Sequence, residues 1–133
     1  MRWDEVVPAC VVAPVSADSD VISALGDSAV FFMAGEREYT VPSMRWTLIS
    51  NVEDELYEHS MVQIDFWVRS VPKAVTLLRA LRRLLHHEAE VTLGGLKVWS
   101  KYVGSRPVRT VRDGTVEGSI DVRLSYLRGR YVA

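Results

Sequence analysis

The feature that most constrains this chain is a change of hydrophobic period between His59 and His87. Val62, Ile64, Phe66 and Val68 alternate with Gln63, Asp65, Trp67 and Arg69, the pattern of a strand with one buried face. Ala74, Leu77, Leu78, Leu81 and Leu85 then recur three and four residues apart, which predicts an amphipathic helix. Ser70 is placed to cap that helix and Pro72 falls in its first turn. Arg79, Arg82 and Arg83 lie toward its C-terminal half, where cations suit the helix dipole. The apolar strand face and the helix stripe should meet, and the rest of the chain should complete that core.

The other elements are read around this unit. Near the N-terminus Trp3, Val6, Val7 and Cys10 have helical spacing, but Pro8 and Pro14 argue against a long helix, so the placement of residues 1–17 stays open. A short helix is expected from about Ser16 to Leu25, capped by Ser16 or Asp18, closed by Gly26, with Val21, Ile22 and Leu25 buried. Ala29 to Met33 reads as a strand, Gly35 to Ser43 as a loop, and Met44 to Ser50 as a strand presenting Met44, Trp46 and Leu48 on one face. Asn51 to Glu55 reads as an acidic turn. After the central helix, Val91 to Leu93 and Leu96 to Val103 read as strands on either side of Gly94-Gly95. Gly104 to Gly114 reads as a basic loop, because Pro107 argues against a central strand. Thr115 to Leu127 is the clearest strand, with Ile120, Val122, Leu124 and Tyr126 on one face and Ser119, Asp121, Arg123 and Ser125 on the other. Successive strands without crossover helices predict an α+β fold: a two-layer sandwich with a mostly antiparallel sheet of about five strands and two main helices on one face. At 133 residues the chain is expected to be one domain.

Composition narrows the partners. A net charge of −1 gives no global attraction to nucleic acid or anionic membrane. No apolar run reaches the ~18 residues needed to cross a bilayer. A signal peptide is not expected, since Asp4 and Glu5 stand where positive charge belongs and Pro8 and Pro14 interrupt the apolar stretch. A single cysteine, Cys10, excludes an internal disulfide and reads as a buried structural thiol.

No residue set carries a catalytic pattern. His86 and His87 are adjacent on a helix and diverge, and His59 is distant in sequence, so no metal site is expected. Gly94-Gly95 and Asp113-Gly114 are turn dipeptides outside any phosphate-binding motif. Two features point to contacts with other molecules. Trp67, with Gln63, Asp65 and Arg69, lies on the strand face opposite the core, where a large aromatic either marks an interface or is a single exposed or loop-covered tryptophan. Lys101, Arg106, Arg109 and Arg112 concentrate positive charge around one loop, which is either solvated or meets an acidic partner surface.

The pattern resembles the tail terminator, or tail completion, proteins of long-tailed phages and phage-like particles. The resemblance spans about Asp18 to Tyr126. It rests on the short helix leading through Ala29-Val30-Phe31-Phe32 to Val41-Pro42-Ser43-Met44, on Val62 to Val68 running into the leucine-rich helix, and on the closing stretch Gly118 to Tyr126. Many members open with a longer continuous helix, from which Pro8 and Pro14 depart. The resemblance implies a non-enzymatic virion component without cofactor, assembled in the host cytoplasm. It implies a homo-oligomeric six-membered ring on the head-proximal end of the tail tube, which stops tube polymerisation and meets the head-side connector. DNA would pass through the ring without sequence-specific recognition. Another head–tail joining or tube protein, or a small α+β enzyme or ligand-binding domain, are the alternatives.

Overall fold

The computed structural model describes residues 2–26, 30–93 and 96–127. Three helices and six strands are present among these described residues: α1 (residues 3–17), α2 (Ser19–Leu25), β1 (Val30–Met33), β2 (Ser43–Glu53), β3 (Tyr57–Val68), α3 (Val71–Leu85), β4 (Val91–Leu93), β5 (Leu96–Arg112) and β6 (Thr115–Leu127). The strands form one sheet in the order β1-β2-β3-β6-β5-β4. Only β1 against β2 is parallel; the other neighbours are antiparallel.

The central unit forms as the periodicity predicts. β3 lies between β2 and β6, and its register against β6 runs from Tyr57↔Leu127 to Val68↔Val116 without a bulge. Val62, Ile64, Phe66 and Val68 are fully buried, in one cluster with Leu77, Leu81 and Leu85 of α3 and Ile120, Val122, Leu124 and Tyr126 of β6. The Ser70 hydroxyl accepts from the Lys73 N–H at 3.3 Å and Pro72 occupies the first turn. Asp18, rather than Ser16, caps α2, accepting from the N–H groups of Asp20 and Val21. Arg83 of α3 donates to the same carboxylate at 3.0 Å. Burial raises the Asp18 carboxyl, and the Arg83 contact with the two backbone donors outweighs it, leaving the group below the usual carboxylate range. Ile22 is exposed instead of buried; Ala24 takes the inward position beside Val21 and Leu25.

The N-terminal segment departs from expectation. It is one helix from Trp3 to Ala17, with a π-helical turn over Pro8–Val12 between the two prolines. There the Ala13 N–H bonds to the Pro8 carbonyl, so the ladder advances by one residue and the backbone disturbed by proline finds partners again. Val6, Val7, Cys10, Val11 and Val15 are fully buried on one face. Burying a valine stabilises by roughly 1.5–3 kcal/mol, against about 3 kcal/mol for an interior proline. Four buried valines therefore offset two prolines, a balance that local propensity alone does not show. Burial pushes the Cys10 thiol up to about 11, so it is no thiolate at neutral pH.

The expected two-layer sandwich of about five strands with two main helices is corrected in layout and number, since the described residues form three helices and one curled six-stranded sheet. A sixth strand is present, and residues 104–112 continue β5 as a strand in place of the expected basic loop. Asp113 (φ 45°) and Gly114 (φ 77°) form the two-residue turn into β6, both in the left-handed region that such a hairpin turn requires. Pro107 is accommodated where the register slips between Arg106 and Arg109, one of the bulges at which a strand tolerates a missing donor. Further slips occur at Tyr102/Gly104, Thr110/Arg112 and Leu48/Ser50. Bulges bend strands, and the sheet curls into a half-barrel with the three helices packed on its buried face.

Candidate assembly surface

Of the residues that the sequence singles out, the register sets Arg106 in the row of Asp65 and Arg109 in the row of Trp67, while Lys101 lies far along β5 beside Arg123 and Arg112 at the turn beside Thr115. Lateral pairing sets Arg45, Asp65, Ser119 and Arg106 side by side across β2, β3, β6 and β5. Arg45 donates to the Asp65 carboxylate at 2.8 Å, and the Gln63 amide donates to its other oxygen at 2.8 Å. Asp65 is 4% exposed while the Arg45 side chain is 35% exposed, so the buried carboxylate depends on Arg45 and Gln63 for its partners. Arg106 donates to the Ser119 hydroxyl at 2.6 Å and lies 3.3 Å from Asp121. Arg109 lies 3.6 Å from Glu117. Two of the four expected cations are thus matched across the hairpin, while Lys101 and Arg112 have no ion pair among the described residues.

Trp67 lies on the face of the sheet opposite the helices, as the alternation predicts, yet it is only 3% exposed. Tyr39, from the loop between β1 and β2, stacks on it with ring centroids 4.1 Å apart and planes 8° from parallel. The Arg45 guanidinium sits 5.0 Å from its ring centroid. Arg69 holds the same loop by donating to the Val41 carbonyl at 2.8 Å. The group that this patch offers outward is Tyr39, half exposed. Sequence reasoning missed Tyr39 because it lies 28 residues before its partner, in a polar stretch without periodicity.

A second constellation was not expected. The His59 ring lies 2.8 Å from the Ser125 hydroxyl through Nδ1 and 3.0 Å from the Asp54 carboxylate through Nε2. His59 and Ser125 border an open cleft of about 440 Å³ lined also by Tyr57, Glu90, Trp99 and Arg123. Serine, histidine and aspartate in contact are also the side chains of a hydrolase triad, but acyl transfer needs backbone donors aimed at a developing oxyanion as well. Ser125 sits within β6 with His59 on one side and Trp99 on the other, so the neighbouring N–H groups serve the two ladders. Asp54 further accepts from the N–H groups of Tyr57 (2.7 Å) and Leu56 (3.0 Å), the donors of the β2–β3 turn. Those backbone bonds, led by Tyr57, and the His59 contact hold its carboxyl below the usual range. The trio fastens the turn to β6. No group of three or more metal-ligating side chains occurs among the described residues.

His86 and His87 close the sheet edge. The His87 N–H donates to the Ser100 carbonyl at 2.9 Å, the Tyr102 N–H to His86 Nδ1 at 3.3 Å, and the Trp99 indole to the His87 carbonyl at 3.0 Å. No single helix among the described residues is long and apolar enough to cross a membrane.

No family model matches the sequence, and no curated protein matches it. Solved structures share its fold. A chain from the virion of a native gene transfer agent particle is 14% identical, with a TM-score of 0.60 over 92% of this chain and 98% of that one. A second solved chain is 15% identical, with a TM-score of 0.61 over 97% of each. At such identities the likeness is one of fold.

Proposed function

We propose that this chain is a non-enzymatic virion structural protein that forms a six-membered ring on the head-proximal end of a phage-type tail tube. There it ends tube polymerisation and gives the head-side connector its docking surface, while DNA passes through the ring without sequence-specific contact. The observation that carries this reading is the fold shared with a gene transfer agent virion chain over nearly the whole of both chains. The stretches resembling tail terminators, α2 into β1, β3 into α3, and β6, contribute to this chain's own core. The half-barrel's outer face, with its interleaved arginines and carboxylates, suits a protein whose work is contact with other subunits.

Deleting the gene from a strain that produces the particles tests the proposal. The expected result is tubes of uncontrolled length that carry no heads. Complete loss of tubes would reassign the chain to the tube itself. Particles of normal tail length and yield would overturn the reading.

A further inference from the structure

We propose that neighbouring copies of this chain join edge to edge: the outer edge of β5, over residues 103–112, adds as a strand to the free edge of β2, over residues 47–53, of the next copy. The inference rests on the ring reading and specifies its junction.

Among the described residues, no strand covers either edge. On the side away from β6, β5 pairs with β4 only over residues 96–98. His86 and His87 seal the edge as far as Tyr102. Beyond that point no strand among the described residues covers it. The Tyr102 N–H points outward, and Tyr102 pairs with Val122. Because β6 runs against β3 without a slip, the residues opposite Ile120 and Val116 present their backbone groups the same way; these are Ser105 and Thr110. At the other border β1 pairs with β2 only over Ser43 to Trp46, and the Ala34 N–H closes the Trp46 carbonyl at 2.8 Å. From Thr47 to Glu53 no strand among the described residues lies on that side. An uncovered edge is a template for another strand.

Charge selects the partner edge. Over the pairing segments themselves, residues 103–112 contain three cations and no acid, of which Arg106 and Arg109 also meet Asp121 and Glu117 within the chain, whereas residues 47–53 contain one acid and no cation. Pairing like edges sets equal charges together; pairing unlike edges sets opposite charges together. Each edge also exposes apolar side chains: Ile49 (53%) and Val52 (59%) on β2, Val103 (54%) and Val111 (38%) on β5. Two different edges of one chain make a head-to-tail contact, the kind that closes into a ring. The β2 segment adjoins the β2–β3 turn and the β5 segment adjoins the β5–β6 turn, at opposite ends of the sheet. Strand addition between them is therefore staggered, and stagger is what tilts strands in a closed sheet.

The test uses Ile49→Lys and Val111→Lys, since lysine is the residue by which natural edges refuse pairing. Far-UV circular dichroism and melting confirm the fold; Val52→Lys and Val103→Lys replace any variant that unfolds. Sedimentation or native mass spectrometry then reads assembly. The parent should form rings, each variant alone should stay monomeric, and an equimolar mixture should give dimers that grow no further, because one intact junction remains per pair. Salt of about 0.5 M should weaken the parent ring by screening the charge match. Variants that form rings like the parent would overturn the edge junction and leave the ring reading intact. Homodimers of either variant, or a mixture that stays monomeric, would overturn the pairing of unlike edges. A parent that never assembles would overturn both proposals.

Discussion

Gly118→Ala should destabilise the fold sharply for so small a change. Gly118 of β6 lies opposite Phe66 of β3, and the Phe66 ring lies directly over it. A β-carbon at position 118 would stand 2.7 and 2.8 Å from the Phe66 Cε atoms and closer still to Cζ, inside any allowed contact. Phe66 is fully buried on β3, with β2 and β6 on either side, so the ring cannot swing into solvent. Overpacking of this kind costs about 1–3 kcal/mol. Alanine's smaller loss of backbone entropy returns roughly 0.5–1 kcal/mol, so a net cost of about 2 kcal/mol requires the upper part of the overpacking range. At this chain length that lowers Tm by roughly 8 °C. Urea denaturation should show a lower midpoint with an unchanged slope. Phe66→Leu removes the atoms in conflict, so the double variant should be less destabilised than the sum of the singles by about 1 kcal/mol. An unchanged midpoint for Gly118→Ala, or strict additivity with Phe66→Leu, would refute the close ring-on-glycine packing.

Leu81→Ala should cost about 2–5 kcal/mol in chemical denaturation, as truncation of a fully buried leucine does; an unchanged midpoint would remove α3 from the core. Asp18→Asn should lower stability at pH 7. The Asp18 carboxyl is held below its ordinary value, so its stabilisation is present above the unfolded pKa and is lost as pH falls through the folded one. The gap between parent and variant in thermal melts should therefore close on acidification through the carboxylate range, and a gap constant with pH would contradict the assignment. Trp67→Ala should cost about 3–5 kcal/mol, whereas Tyr39→Ala, which removes one half-exposed stacked ring, should cost about 0.5–1.5 kcal/mol and weaken assembly in sedimentation; the reverse order would misplace the patch. Reversing Arg109 and Arg112 to glutamate should impair tube capping at low salt, and normal tube lengths in a tail-assembly reaction would remove their contact role.

The parts of the fold legible in the sequence are those where one face is buried along a whole element. β3, α3 and β6 show this, because Val62 to Val68, the leucine stripe and Ile120 to Tyr126 each keep one period without interruption. α1 was hidden because Pro8 and Pro14 are local penalties, while the burial that outweighs them comes from residues far along the chain. The distal half of β5 was hidden because its bulges at Val103 and around Pro107 spoil the alternation, though Asp113-Gly114 marked the hairpin. Of the candidate surface, the faces of Asp65 and Trp67 followed from parity alone. Their coverage did not, because Arg45 and Tyr39 reach them only through tertiary pairing. The cations of residues 101–112 were visible, but the carboxylates of Glu117 and Asp121 that match two of them belong to the next strand.

The ring itself is the most direct test of the account. The measurement is native mass spectrometry of the purified chain, paired with electron microscopy of the same sample after mixing with isolated tail tubes. The account predicts a species six times the 15.0 kDa chain mass, seen as a ring with a central channel seated on one end of each tube. A chain that stays monomeric with tubes present and leaves both tube ends bare would contradict it.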